Sequence, residues 1–160
     1  MPKPKTPLLT VDCVVFDRED RVLLIRRRNA PFKGELALPG GFVDIGETVE
    51  AACRRELLEE TGIAVGKIAL VGVYSDPKRD PRGHVCAAAF TTRVKSAKPI
   101  AGDDASAFEW VSGWRRHKLA FDHRQIVADA WKRQTAKAKA NSAAKPARKA
   151  KSTARSDSLR

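Results

Sequence analysis

Residues Gly41 to Ile63 read GFVDIGETVEAACRRELLEETGI, and they decide how the rest of the chain is read. Thr48 is a good N-cap, the segment to Thr61 is rich in strong helix formers, and Gly62 stands where a left-handed residue ends a helix. Glu56 and Glu60 are four residues apart and Glu56 and Glu59 three, so three carboxylates crowd one face near the helix C-terminus. That placement is unfavourable twice over, because like charges repel and anions oppose the helix macrodipole there. A bound cation offsets both penalties. Hard divalent ions such as Mg²⁺ take carboxylate oxygens together with water and phosphate oxygens. Arg54 and Arg55 neutralise part of the cluster and are placed to orient it. Taken alone, the cluster reads as readily as a solvated acidic helix end.

Upstream, Leu8 to Phe16 and Arg21 to Arg26 are apolar, strand-like runs joined by the polar turn Asp17–Asp20, which predicts a hairpin. Asn29 to Glu35 reads as loop, and Leu-Pro-Gly-Gly at 38–41 as a backbone bend. Downstream, Ile68–Tyr74, Val85–Val94 and Phe108–Val111 read as strands. Asp122 is placed to cap a last helix running to about Trp131, with Ile126, Val127 and Ala130 at helical spacing. The fold class expected is α+β, a mixed β-sheet between helices.

The central stretch resembles the Nudix box, G-x5-E-x7-R-E-U-x-E-E-x-G-U with U a bulky aliphatic. Gly41, Glu47, Arg55, Glu56, Leu57, Glu59, Glu60, Gly62 and Ile63 fill its defined places without a departure. Matching the seven fixed identities by chance has a probability of roughly one in a billion per start position. The resemblance covers about Leu8 to Trp131 and implies a Nudix hydrolase domain over residues 1–131, folded as an α/β/α sandwich. It further implies that Glu56 and Glu60, with Glu59 in many members, bind Mg²⁺ or Mn²⁺, and that the Gly40 carbonyl completes the metal site. Arg55 and Glu47 are expected to hold the catalytic carboxylates, with Glu59 counted among them. An acid outside the box often adds a ligand or general base, and Asp104 is the candidate here, although Asp103-Asp104 fits a turn equally well.

Ser75 to His84, SDPKRDPRGH, packs two Pro, three basic residues, two Asp and a His into ten positions. Such a loop suits an anionic ligand, since Arg79 and Arg82 can each offer two parallel hydrogen bonds to phosphate. A self-satisfied surface loop of the same residues is the alternative. Beside the box, this stretch resembles the loop of ADP-ribose pyrophosphatases, with Pro77 lying 14 residues beyond Ile63. That resemblance implies hydrolysis of ADP-ribose to AMP and ribose 5-phosphate, with Arg28, Arg79, Asp80 and Arg82 as candidate substrate contacts. NADH, a dinucleoside polyphosphate or an oxidised nucleoside triphosphate are alternative substrates, and a non-catalytic ADP-ribose sensor is an alternative of another class. Leu36 stands where many relatives have Trp, and His123 reads as part of a helix start.

The net charge of +12 is unevenly distributed. Residues 1–131 carry 21 Lys+Arg against 18 Asp+Glu, whereas residues 132–160 carry ten against one. The tail from Lys132 is built of Ala, Lys, Arg and Ser and is expected to be disordered or transiently helical. Its charge either solubilises the chain or gives weak, salt-sensitive, sequence-independent contact with nucleic acid. Cys13, Cys53 and Cys86 are widely spaced with no CxxC pair, which predicts buried thiols, not structural zinc. No apolar run approaches the roughly 20 residues of a membrane span and residues 1–10 lack a secretory apolar region, so a cytoplasmic protein is expected. The family resemblance also raises a homodimer.

Overall fold

The computed structural model describes residues 5–95 and 108–143. A seven-stranded mixed sheet is assembled from β1 (Leu8–Phe16), β2 (Val22–Arg26), β3 (Leu36–Ala37), β4 (Gly40–Phe42), β5 (Ala69–Tyr74), β6 (Val85–Arg93) and β7 (Phe108–Val111). α1 (Val49–Thr61) and α2 (His123–Ala143) complete it, with a short 3₁₀ turn at Trp114–Arg116. The order is β3-β2-β1-β6-β5, with β4 paired to β1 and β7 to β2. Of the described strand pairs, β1 and β6 run parallel, in register from Leu8 opposite Val85 to Phe16 opposite Arg93, and the others antiparallel.

Alternation along β1 explains the layering. Val11, Cys13 and Val15 point to one face, where they pack with Ala52, Cys53 and Leu57 of α1. Val14 and Phe16 point to the other, against Ile126, Val127 and Ala130 of α2. One helix therefore covers each face, giving the α/β/α sandwich. Fully burying a Leu57 or an Ile126 contributes about 1.5–3 kcal/mol each. Cys13 and Cys53 meet in the α1 interface as buried free thiols, and Cys86 is half-buried.

The expected β1–β2 hairpin closes at a single register pair, Phe16 opposite Val22. The N-terminal half of that edge of β1 is instead taken by β4, with Thr10, Val11 and Asp12 opposite Phe42, Gly41 and Gly40. A Cβ at residue 40 would lie 2.1 Å from the Val11 carbonyl oxygen, so only glycine lets β4 approach this closely. α1 then leaves β4 through a short loop, capped by the Thr48 hydroxyl and ended by Gly62 at φ 70.

α2 starts directly after Asp122, as expected, and departs from that expectation at its C-terminal end. It runs past Trp131 to Ala143, because Lys132–Ala143 is dominated by Ala, Lys and Arg, strong helix formers, and because Gln134 donates to the Thr91 hydroxyl on β6. The first part of the tail is thus a continuation of the last helix, while residues 144–160 lie outside the described residues. Asp122 accepts the first turn's N–H groups through its backbone carbonyl, and its carboxylate is engaged elsewhere. Among the described residues no helix is long and apolar enough to cross a membrane.

Candidate active site

The box residues form one network centred on Arg55. Its Nε and Nη2 donate to the two carboxylate oxygens of Glu47 at 3.0 and 2.9 Å. Nη1 donates to Glu56 Oε1 at 2.7 Å and to Glu59 Oε2 at 3.3 Å, and Nη2 also reaches the Phe42 carbonyl at 3.1 Å. The planar fork of a guanidinium is what allows one side chain to hold three carboxylates at once. These bonds hold the Arg55 pKa above its ordinary value, and Arg55 in turn draws the Glu47 carboxyl below the usual glutamate range. Glu47 is thus bound at both oxygens to the guanidinium that also holds Glu56 and Glu59.

Glu60 is set differently. Its carboxylate lies deeper, accepting from the Gly40 N–H at 2.9 Å. Burial pushes its pKa up to about 7, against the pull of that N–H, and the negative charges of Glu56 and Asp12 add to the rise. Gly41 makes room for this arrangement, since a Cβ there would sit 2.3 Å from Glu56 Oε1.

Among the described residues no three carboxylate or imidazole groups already converge closely enough to cage an ion. Glu56 and Glu59 are turned to Arg55, and Glu59 is the most exposed of the three. The donor set nonetheless fits a hard divalent cation. All donors are oxygens, Glu60 is a half-buried acid held among other acids, and the missing Cβ at Gly41 leaves the space that the Glu56 carboxylate occupies.

A cleft of about 160 Å³ opens beside this network, between Glu60, Gly40, Gly41 and Phe42 on one side and the 75–84 loop on the other. The loop is fixed by acids from outside it and within it. Arg79 is buried, donating to both oxygens of Asp122 at 2.8 and 2.6 Å and to Asp12 at 3.4 Å. Asp80 is buried too, accepting from the Arg82 backbone and guanidinium, and that guanidinium keeps the Asp80 pKa low. Arg82 itself is half-exposed, 5.9 Å from the Phe42 ring centre and 5.6 Å from that of Phe121. Of the loop residues expected at the ligand, Arg82 lines the cleft as an ion pair with Asp80, its side chain still 46% exposed. Arg79 lines the cleft but its charge is committed to Asp122 and Asp12, so it serves as the loop's anchor.

Arg28 requires a correction. It is exposed and absent from the cleft, whereas Arg27 lines it, 4.8 Å from the Phe121 ring centre. Backbone bonds of Arg27 to Glu35 and Gly34 carry strand pairing one residue beyond β2, so Arg27 takes the cleft side and Arg28 the opposite one. Burial first, and then the nearby Arg82, lower the Arg27 pKa, while Asp80 and Glu60 oppose the fall. Asp104 lies outside the described residues. His123 is buried, with Nδ1 accepting from the Leu38 N–H at 2.9 Å and Nε2 facing Asp12 at 3.4 Å, and it borders the cleft. The sequence reading missed Asp12, Phe42 and Phe121. Asp12 had a signal, a lone acid inside the apolar run Val11–Phe16.

The chain matches the NUDIX domain family over residues 6–130, and it belongs to that family. It is 49% identical over 123 residues to an ADP-ribose pyrophosphatase of Methanocaldococcus jannaschii, covering 77% of this chain and 72% of that one. The NUDIX domain of Shewanella oneidensis NrtR complexed with ADP ribose superposes with a TM-score of 0.73 at 32% identity, covering 81% of this chain and 90% of that one. A bifunctional NMN adenylyltransferase/ADP ribose pyrophosphatase of Francisella tularensis, complexed with AMP and a manganese ion, superposes with a TM-score of 0.69 at 28% identity, covering 83% and 43%. The chain spans between half and two thirds of several other relatives that it matches.

Proposed function

We propose that this protein hydrolyses the phosphoanhydride bond of ADP-ribose, giving AMP and ribose 5-phosphate, with Mg²⁺ or Mn²⁺ as the ion. The observation that carries the reading is the Arg55-centred carboxylate network opening onto a cleft whose far side presents Arg27 and Arg82. The 49% identity to an ADP-ribose pyrophosphatase selects the substrate. Glu56, Glu59, Glu60 and the Gly40 carbonyl would hold the ion, which supplies positive charge at the diphosphate and acidifies water there. Arg55 keeps Glu56 and Glu59 aligned while Glu47 holds Arg55. Arg27 and Arg82 draw the diphosphate into the cleft and screen its charge from the glutamates. A volume of about 160 Å³ is below the roughly 300–1,000 Å³ of ligand pockets, so it takes the diphosphate while the nucleoside and ribose lie along the open rim. Asp104 remains the proposed acid from outside the box. Three free cysteines suit the reducing cytoplasm, where we place the reaction.

The test is a panel led by ADP-ribose, with NADH, a dinucleoside polyphosphate and an oxidised nucleoside triphosphate, each with Mg²⁺ or Mn²⁺ and with products identified. AMP and ribose 5-phosphate as products of the best substrate support the reading, and a preference for a triphosphate overturns the choice of substrate. A second reading, an ADP-ribose sensor, has one observation in its favour: the similarity to the NUDIX domain of NrtR complexed with ADP ribose and to an ADPR responsive transcriptional repressor. Tight binding of ADP-ribose without turnover in the same assay would select it.

A further inference from the structure

A second cavity, about 620 Å³, lies between the ends of β5 and β6 and the C-terminal half of α2, and it shares no residue with the catalytic cleft. Val85 borders the cleft and Thr91 borders this groove, six residues along one strand, which separates them by roughly 20 Å. Five basic side chains line the groove: Lys67, Arg93, Lys95, Arg133 and Lys137. Among the described residues no carboxylate and no aromatic ring lines it. Arg93 is paired with Asp20, but among the described residues Lys67, Lys95, Arg133 and Lys137 make no ion pair, and all four are exposed.

Arg133 and Lys137 are four apart on α2, a like-charge spacing that weakens a helix, much as the glutamate cluster weakens α1. The positive row then continues along the chain, since residues 144–160 add six Lys+Arg and one acid. The volume is far larger than a single phosphate requires, and the open, one-signed lining suits a row of phosphates. Without an aromatic side chain among the described lining residues there is nothing to stack on a base, and Gln134, the one amide side chain in the lining, already donates to the Thr91 hydroxyl, so the contact expected is with the backbone.

We infer that this groove is a binding surface for the sugar-phosphate backbone of nucleic acid, sequence-independent and separate from the hydrolytic site. The test is fluorescence anisotropy of the full chain with a labelled mixed-sequence DNA duplex, titrated between 50 and 200 mM KCl. The wild type should bind, and a duplex of unrelated sequence should bind equally well. The variant Lys67→Glu/Arg133→Glu/Lys137→Glu should bind at least about tenfold more weakly at 50 mM, with a log K against log salt slope shallower by about 2.7, or about 0.9 for each lost contact. Its circular dichroism and its ADP-ribose turnover should stay at wild-type values, which separates lost binding from lost fold. Should the triple variant not fold, Lys67→Glu alone should lower the slope by about 0.9. Inorganic phosphate at constant ionic strength should not displace the duplex. Unchanged affinity and slope in the folded variant, no duplex binding by the wild type at 50 mM, or displacement by phosphate each overturns the inference.

Discussion

Replacing Arg79 with alanine separates an anchoring role from a substrate contact. The Arg79 side chain is 5% exposed and faces Asp12, 9% exposed, and Asp122, 26% exposed. Alanine leaves two carboxylates beside each other with no cation between them. Breaking a buried ion pair from one side costs about 3–5 kcal/mol, and partial solvation of Asp122 puts this case at the lower end, about 3 kcal/mol. At roughly 3–4 °C per kcal/mol for a domain of this size, Tm should fall by about 10 °C. The assay is thermal unfolding by circular dichroism, beside kcat and KM for ADP-ribose at 20 °C, where the variant is still folded. An anchor predicts a large Tm loss with a change of only a few-fold in kcat/KM. Adding Asp122→Asn to Arg79→Ala removes the repulsion and should recover at least about 1 kcal/mol relative to additivity. A Tm within about 2 °C of wild type, with a drop in kcat/KM of about tenfold or more, would refute the anchoring role and return Arg79 to the substrate.

Arg82→Ala should reduce kcat/KM for ADP-ribose by about ten- to a hundredfold, the loss of one charge-assisted contact to an anion, with Tm nearly unchanged in the same melts. Gly41→Ala should fold, because Glu56 can swing away from the new methyl group, yet lose about tenfold or more in kcat, since the displaced carboxylate leaves its position; steady-state kinetics beside circular dichroism checks both halves. His123 carries the pH dependence. Burial lowers its pKa, against the opposing charges of Asp12 and Asp122, so the unfolded chain takes up a proton before the folded one does. Stability is therefore full above the ordinary histidine value of 6.5 and is lost as pH falls through it towards the lowered folded value. Between pH 8 and 6 the wild-type Tm should fall, and His123→Asn, which keeps an acceptor for the Leu38 N–H, should flatten that slope.

Local signals were the ones that could be read. The bounds of α1 follow from Thr48, the helix formers between and Gly62, all within fifteen residues, and the structure has the same cap and the same stop. β7 likewise falls where its short apolar run lies. The partners of β1 could not be read in this way: β6 begins 69 residues after β1 ends, and nothing in either strand names the other. The apparent hairpin partner β2 is nearest in sequence, but β1 gives most of that edge to β4, because Gly40 lets β4 come close. The choice between Arg27 and Arg28 turned on strand parity one residue past a boundary, where sequence patterns are least sharp. Arg79 looked like a free cation because its partners stand 43 and 67 residues away. The box network was legible because its members sit within one helix and one loop, so their spacing is their geometry.

The central claim is that the box glutamates support ion-dependent cleavage of a nucleoside diphosphate derivative. The most direct measurement is the turnover of ADP-ribose by Glu60→Gln at saturating Mg²⁺ and saturating Mn²⁺, with AMP and ribose 5-phosphate quantified and the fold checked by circular dichroism. Glutamine keeps the size of the side chain and an acceptor for the Gly40 N–H but removes the charge. The variant should stay folded and lose about a hundredfold or more in kcat with either ion, while the wild type should lose its activity to a chelator and regain it when the ion is restored. Near-wild-type turnover of folded Glu60→Gln, or wild-type turnover that survives chelation, would contradict the claim.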